Sequence, residues 1–153
     1  DAPRSPLPEG GAQNGFQGNT VLIVEDNADM RTYLDMLLRK YYATLTADNG
    51  KSALETLQAN PVDLVLADLM MPEMDGFDII EQIRGQPQFR DLPIVVLSAR
   101  AGEADRDRSL SQGAAGFLVK PVSPVALKEM LDRYLAIDTT YDAVSDGYQG
   151  REQ

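Results

Sequence analysis

Residues 62–80 read VDLVLADLMMPEMDGFDII, and the fold turns on how this stretch divides. Val62–Ala67 is an apolar run with no helical period, so it reads as a strand. The run Leu64-Val65-Leu66-Ala67 ends in Asp68. Met70–Asp75 is a loop containing Pro72. Gly76 then opens a helix that turns Ile79, Ile80 and Ile83 inward. Three other short runs share the strand's character. Val21-Leu22-Ile23-Val24 ends in Glu25-Asp26, Ile94-Val95-Val96-Leu97 ends in Ser98, and Gly116-Phe117-Leu118-Val119 ends in Lys120-Pro121. If all four are parallel strands of one sheet, their carboxyl ends point to one edge. That edge is where open α/β sheets bind ligands. Three carboxylates, a hydroxyl and an ammonium would then converge from positions far apart in the chain.

The segments between the runs read as helices. Asn27 is a good N-cap for a helix over Ala28–Lys40, with Met30, Leu34, Leu37, Leu38 and Tyr41 at helical spacing. Tyr42–Ala47 is a further strand. Gly50 opens a helix with Ala53, Leu54 and Leu57 on one face, closed by Pro61. Glu103–Gln112 is a short helix ended by Gly113, and Ala115–Val119 is the fifth strand. The last helix runs from about Ser123 to Ala136, with Leu127, Met130, Leu131, Tyr134 and Leu135 apolar. Five β-α pairs in series, with continuous rather than alternating apolar strands, predict an α/β fold whose parallel sheet is covered on both faces. The helix over Glu103–Gln112 stands apart, because only Ala104 and Leu110 are available to a core. It is expected to be among the least stable parts of the fold.

Composition narrows the function. The chain has 153 residues and a net charge of −10. Residues 1–19 are a Pro/Gly-rich linker, 20–137 one domain, and 138–153 a polar tail. With no Lys/Arg cluster, nucleic acid is not an expected partner. Cysteine is absent, which removes disulfides and thiolate metal sites. No apolar run approaches the ~20 residues that cross a bilayer, and no signal pattern opens the chain, so no membrane contact and a cytoplasmic location are expected. Histidine is absent too, so the chain works without imidazole catalysis.

The strand-end residues each admit a plain reading. Glu25-Asp26 suits a helix N-terminus, Asp68 a turn, Ser98 a cap, and Lys120 none in particular. Jointly they say more. Two carboxylates forced together repel, and a divalent cation relieves the repulsion. Mg2+ suits such a site because it takes a few carboxylate oxygens and keeps several waters. Asp68 can serve as a nucleophile that forms an acyl phosphate.

The stretches VLIVEDNADMRTYL, DLVLADLMMPEMDGFDIIEQIR, LPIVVLSA and GAAGFLVKPV resemble the receiver domain of two-component response regulators, over about Asn19 to Ala136. The resemblance implies a doubly wound, flavodoxin-like (βα)5 fold with a parallel sheet of order 2-1-3-4-5. It implies that Asp68 is the phosphoacceptor, served by a sensor histidine kinase or a histidine phosphotransfer protein. Glu25 and Asp26 match the family's magnesium-binding acids, Asp26 directly and Glu25 through water, with the Met70 carbonyl as a further ligand. Ser98 matches the hydroxyl that follows the phosphoryl group, Lys120 the lysine that pairs with it, and Phe117 the aromatic switch. The Lys120–Pro121 bond is expected to be cis. The domain would take part in its own phosphorylation and dephosphorylation, and would switch or dimerise through the face made by the Glu103–Gln112 helix, the strand before Lys120 and the last helix.

Two positions depart from the commonest pattern. Phe117 stands where many members have Tyr, so the ring has no hydroxyl. Arg100, two residues beyond Ser98, is expected to flank the site mouth with Met70. The leader and the wording after Val21 look more like the receivers of hybrid sensor kinases than those of transcription factors, and no output module is expected in the flanks. The alternatives are a stand-alone regulator, an unphosphorylated docking module, and an aspartate-nucleophile phosphatase. The last would want an acid two residues after Asp68, where Met70 stands.

Overall fold

The computed structural model describes residues 18–135. The linker expected at 1–19 falls outside them except for Gly18 and Asn19, and the tail expected at 138–153 falls wholly outside. The elements follow in the order β1 (Thr20–Val24), α1 (Ala28–Arg39), β2 (Ala43–Ala47), α2 (Gly50–Ala59), β3 (Leu64–Asp68), α3 (Gly76–Arg84), β4 (Ile94–Ser98), α4 (Glu103–Ser111), β5 (Gly116–Val119) and α5 (Pro124–Tyr134). A 3₁₀ turn at Pro87–Phe89, unread in the sequence, leads from α3 towards β4. The sheet is parallel throughout, in the order β2-β1-β3-β4-β5. This is the doubly wound, flavodoxin-like α/β arrangement that the resemblance implied. Among the described residues no helix is long and apolar enough to cross a membrane.

The continuous apolar strands now have their reason. In β1, Val21 and Ile23 pack with Leu34, Leu38, Leu127 and Leu131 of α1 and α5. Their neighbours Leu22 and Val24 pack with Ala53, Ile79, Ile80 and Ile83 of α2 and α3. Side chains alternate between faces, and both faces are covered, so Val21–Val24 is apolar at each position. Each such side chain contributes about 1.5–3 kcal/mol by leaving water.

Four helices start on a side-chain cap. Asn27, Asn49, Asp75 and Ser123 accept from the backbone N–H groups of Met30, Ser52, Asp78 and Ala126. Asp75 and Asp78 close a reciprocal capping box, which fixes the first turn of α3. Helix α4 has no side-chain cap at Gly102. Its packing also corrects the sequence reading. Leu110 is half-buried and packs against the core as expected, but Ala104 is exposed. The one buried residue of α4 is Ser109, whose hydroxyl donates to the Arg106 carbonyl at 3.0 Å. The apolar count had passed over a small polar side chain that satisfies itself on its own helix.

Candidate functional site

The strand register sets the site. Val24 lies opposite Ala67, Asp68 opposite Leu97, and Ser98 opposite Val119. The residues that follow, Glu25-Asp26 and Lys120, therefore leave the sheet at the edge that Asp68 and Ser98 reach. The Lys120 N–H donates to the Ser98 carbonyl at 2.7 Å, which carries the β4–β5 pairing one residue further.

At this edge the Lys120 ammonium bridges two carboxylates. Its Nζ lies 3.1 Å from Glu25 Oε1 and 3.3 Å from Asp68 Oδ1. Glu25 and Asp68 are almost sealed from water, at 1% and 4% exposure, while Asp26 is exposed. Carboxylate oxygens of Glu25, Asp26 and Asp68 lie within 4.8 Å of one another. Glu25 Oε2 accepts from the Asn27 N–H at 3.1 Å, and Asp68 Oδ1 from the Met70 N–H at 3.3 Å.

Two supports of the site went unread in the sequence. Arg31, on the first turns of α1, donates from NH1 to the Glu25 carbonyl at 2.9 Å and holds the acidic loop from behind. Gly76 lets α3 press against the Asp68 loop: a Cβ there would stand 2.7 Å from Leu69 Cα and 3.0 Å from the Asp68 carbonyl oxygen. A glycine opening a helix is a visible signal, but the need for close approach is not. Arg31 carried no local signal at all.

The electrostatics follow from burial and crowding. Burial pushes the Glu25 carboxyl above the usual carboxylate range. The Asn27 N–H opposes this, the Asp68 charge adds to it, and Lys120 pulls it back. For Lys120, burial alone would lower the ammonium's pKa. Asp68 and Glu25 outweigh that and raise it, so the cation stays charged at neutral pH. Among the described residues, three carboxylates thus share one ammonium, while Arg31 bonds the loop's carbonyls and not its carboxylates; a further cation would relieve the imbalance.

The donor set fits a hard divalent ion. It is all oxygen, and one carboxylate faces water. Mg2+ uses one or two carboxylates and keeps waters on its open side, which this arrangement allows.

The remaining expected residues ring this centre. Ser98 is fully buried, and its hydroxyl is engaged within its own loop. It donates to the Arg100 carbonyl at 2.9 Å and accepts from the Arg100 N–H at 3.0 Å. Phe117 is half-buried against the cluster that lines α2 and α3. The Arg100 side chain turns to Asp105 of α4 at 2.8 Å. Met70 is exposed beside Asp68, and the Lys120–Pro121 peptide is cis.

Known proteins share this architecture. The chemotaxis protein CheY4 of Vibrio cholerae superposes with a TM-score of 0.75 at 32% identity, over 78% of this chain and 100% of that one. The receiver domain of a Pseudomonas aeruginosa sensor histidine kinase, solved with magnesium coordinated in its active-site cleft, gives 0.72 at 30% identity, over 78% and 99%. The hybrid signal transduction histidine kinase D of Dictyostelium discoideum is 41% identical over 67% of this chain, which spans 7% of that protein's length. Two other curated relatives are also much longer, the chain spanning 26% and 13% of their length. Residues 21–132 match the response regulator receiver domain, and the chain belongs to that family.

Proposed function

We propose that this domain, taken as residues 20–137, accepts a phosphoryl group on Asp68 from a phosphohistidine of a sensor histidine kinase or histidine phosphotransfer protein. The observation that carries the reading is the Lys120 ammonium set between Glu25 and Asp68 at 3.1 and 3.3 Å. A carboxylate held against a fixed cation in a shielded cleft suits phosphoryl transfer, which needs positioning and charge neutralisation more than covalent help. An Asp68 oxygen attacks phosphorus in line. The O–P bond forms as the N–P bond breaks, and the electron pair returns to the donor's imidazole nitrogen. The chain has no histidine, so the phosphohistidine must come from the partner.

Glu25, Asp26, Asp68 and the Met70 carbonyl would hold Mg2+. When bound, the ion neutralises charge on the phosphoryl oxygens. Lys120 pairs with one such oxygen, exchanging part of its contact with Asp68 for it. Pro121 fixes the direction in which the chain leaves that lysine, and Met70 and Arg100 border the approach. Met70 offers no acid or amide to position a water, which favours acceptor over phosphatase.

The acyl phosphate brings about −1.5 to −2 charges into the cleft. Ser98 answers by giving up its bonds to Arg100 and donating to the phosphoryl group. The space it leaves admits Phe117. That ring is already half-buried, so completing its burial is worth about 1 kcal/mol, roughly a fivefold shift in population. The α4-β5-α5 face then changes and serves as the docking or dimer surface. The likeness to kinase-borne receivers supports placing the domain in a hybrid sensor kinase, on the cytoplasmic side.

The test is modification with acetyl phosphate or beryllofluoride in the presence of Mg2+. The reading expects one modified residue, Asp68, and none in Asp68→Asn. Modification of serine or threonine instead would overturn it.

A further inference from the structure

Apolar packing explains α4 poorly. Its one buried residue is Ser109, and it lacks a side-chain N-cap. At its C-cap, the Gln112 side-chain oxygen is buried without a hydrogen-bond partner, the one such side-chain atom among the described residues. An unpaired buried acceptor is a standing cost on this placement of the helix. The Arg100–Asp105 bridge at its start is largely exposed on the arginine side, and such surface pairs hold little.

A different contact ties α4 to the rest of the domain. The Arg108 guanidinium carbon lies 3.8 Å from the centroid of the Phe77 ring, which places the cation face-on against it. Phe77 is only 5% exposed, so its ring is a fixed platform. The residue before it is Gly76, whose N–H donates to the Leu69 carbonyl at 3.0 Å. A Cβ at Gly76 would stand 3.0 Å from the Asp68 carbonyl oxygen, so the first turn of α3 rests directly on the backbone of the Asp68 loop. The reciprocal Asp75–Asp78 cap keeps that turn from yielding internally. Asp68, Gly76, Phe77 and Arg108 therefore form one unbroken run of contacts.

We propose that Arg108, stacked on Phe77, is the clamp that holds α4 in the position seen here and couples it to the Asp68 loop through α3. The route is separate from Ser98 and Phe117, and it rests on the reading of Asp68 as phosphoacceptor. A displaced Asp68 backbone moves Gly76, because Gly76 sits directly against the backbone of Asp68 and Leu69 and its N–H is bonded to the Leu69 carbonyl. The turn carries the Phe77 ring with it as one body, and the guanidinium of the exposed Arg108 loses its place over that ring; α4 itself buries only Ser109 and half of Leu110, so little apolar surface is uncovered.

The test is hydrogen exchange, read by mass spectrometry, of the full chain as wild type, Arg108→Ala, Arg108→Gln and Arg108→Lys. Each is measured free and with beryllofluoride and Mg2+. In the free chain, Arg108→Ala and Arg108→Gln should exchange the amides of α4 about two- to fivefold faster, the range a surface cation–π contact supports. Exchange in α1 should not change, and Arg108→Lys should fall between. The further change in α4 on adding beryllofluoride should shrink in the Ala and Gln variants. The proposal is overturned if α4 exchanges at the wild-type rate in both, or if α1 accelerates equally. If beryllofluoride leaves the Asp68 loop of the wild type unchanged, the phosphoacceptor reading fails, and the free-chain comparison still decides the clamp.

Discussion

Replacing Lys120 with methionine keeps most of the side-chain volume and removes the one ammonium among three acids. Lys120 Nζ stands 3.1 and 3.3 Å from carboxylates that are nearly sealed from water. Breaking a buried pair by removing one partner costs about 3–5 kcal/mol. The lysine side chain keeps 21% exposure, and Glu25 can take a proton to relieve the repulsion left behind. Both reduce the cost, and we expect Lys120→Met to lose about 2–4 kcal/mol in EDTA near neutral pH. The loss has two signatures that a packing defect lacks. Mg2+ at 10 mM or so should restore part of it, since the ion supplies the missing positive charge. It should also shrink as pH falls through the raised pKa of Glu25, because a protonated Glu25 no longer repels Asp68. In the wild type, Glu25 works in the same direction. Its folded pKa is raised above 4.5, so the stability present below 4.5 is lost as pH rises through the folded value. Lys120 acts at the other end: its folded pKa is raised above 10.5, and its contribution is lost as pH climbs through that value. Urea unfolding at pH 5 and 8, with EDTA or Mg2+, reads the Glu25 and Mg2+ effects, and a series carried above pH 10.5 reads Lys120. A loss below about 0.5 kcal/mol, or one indifferent to Mg2+ and pH, would refute the reasoning.

Magnesium should bind at roughly 0.1–10 mM and more tightly as pH rises through the raised pKa of Glu25, since protons compete for that carboxylate; a titration followed by NMR should lose its response in Asp26→Asn. Gly76→Ala should destabilise the domain by about 1–3 kcal/mol, because the new methyl meets the Leu69 Cα and the Asp68 carbonyl oxygen, backbone atoms that cannot swing away as the Leu69 side-chain end can; an unchanged urea midpoint would show that the loop has slack. Ser98→Ala should still take up the phosphoryl group, more slowly, and hydrogen exchange over residues 101–120 should then stay as in the free chain. The same exchange pattern as wild type after modification would remove Ser98 from the switch.

The sheet was legible because burial on both faces leaves a mark in local sequence: runs such as Val21–Val24 and Ile94–Leu97 have no polar positions to give. The acids and the lysine were legible for a related reason, since a charge at the end of an apolar strand has to emerge at the sheet edge. What the sequence hid depends on long side chains and close approach. Arg31 reaches back to the Glu25 carbonyl. Arg84 gathers the carbonyls of Phe89, Leu92 and Gly113, joining the end of α3 to the turn before β5. Arg108 finds Phe77 across two helices. In the sequence each is one more surface arginine, because a flexible side chain's target is set by tertiary placement and not by spacing. Ala104 and Ser109 show the same limit from the other side. Apolar periodicity favoured the alanine, yet the face that α4 turns inward is set by where β5 and α3 stand, and it buries the serine.

The most direct test of the central claim is phosphoryl transfer itself. The purified chain, with Mg2+, is mixed with a histidine kinase carrying labelled phosphohistidine, and the label is followed on both proteins and by peptide mapping. The account predicts that label leaves the kinase and appears on the peptide containing Asp68, that alkali removes it as it does an acyl phosphate, and that Asp68→Asn takes up none. Label that survives alkali, or that reaches Asp68→Asn as readily as the wild type, would contradict it.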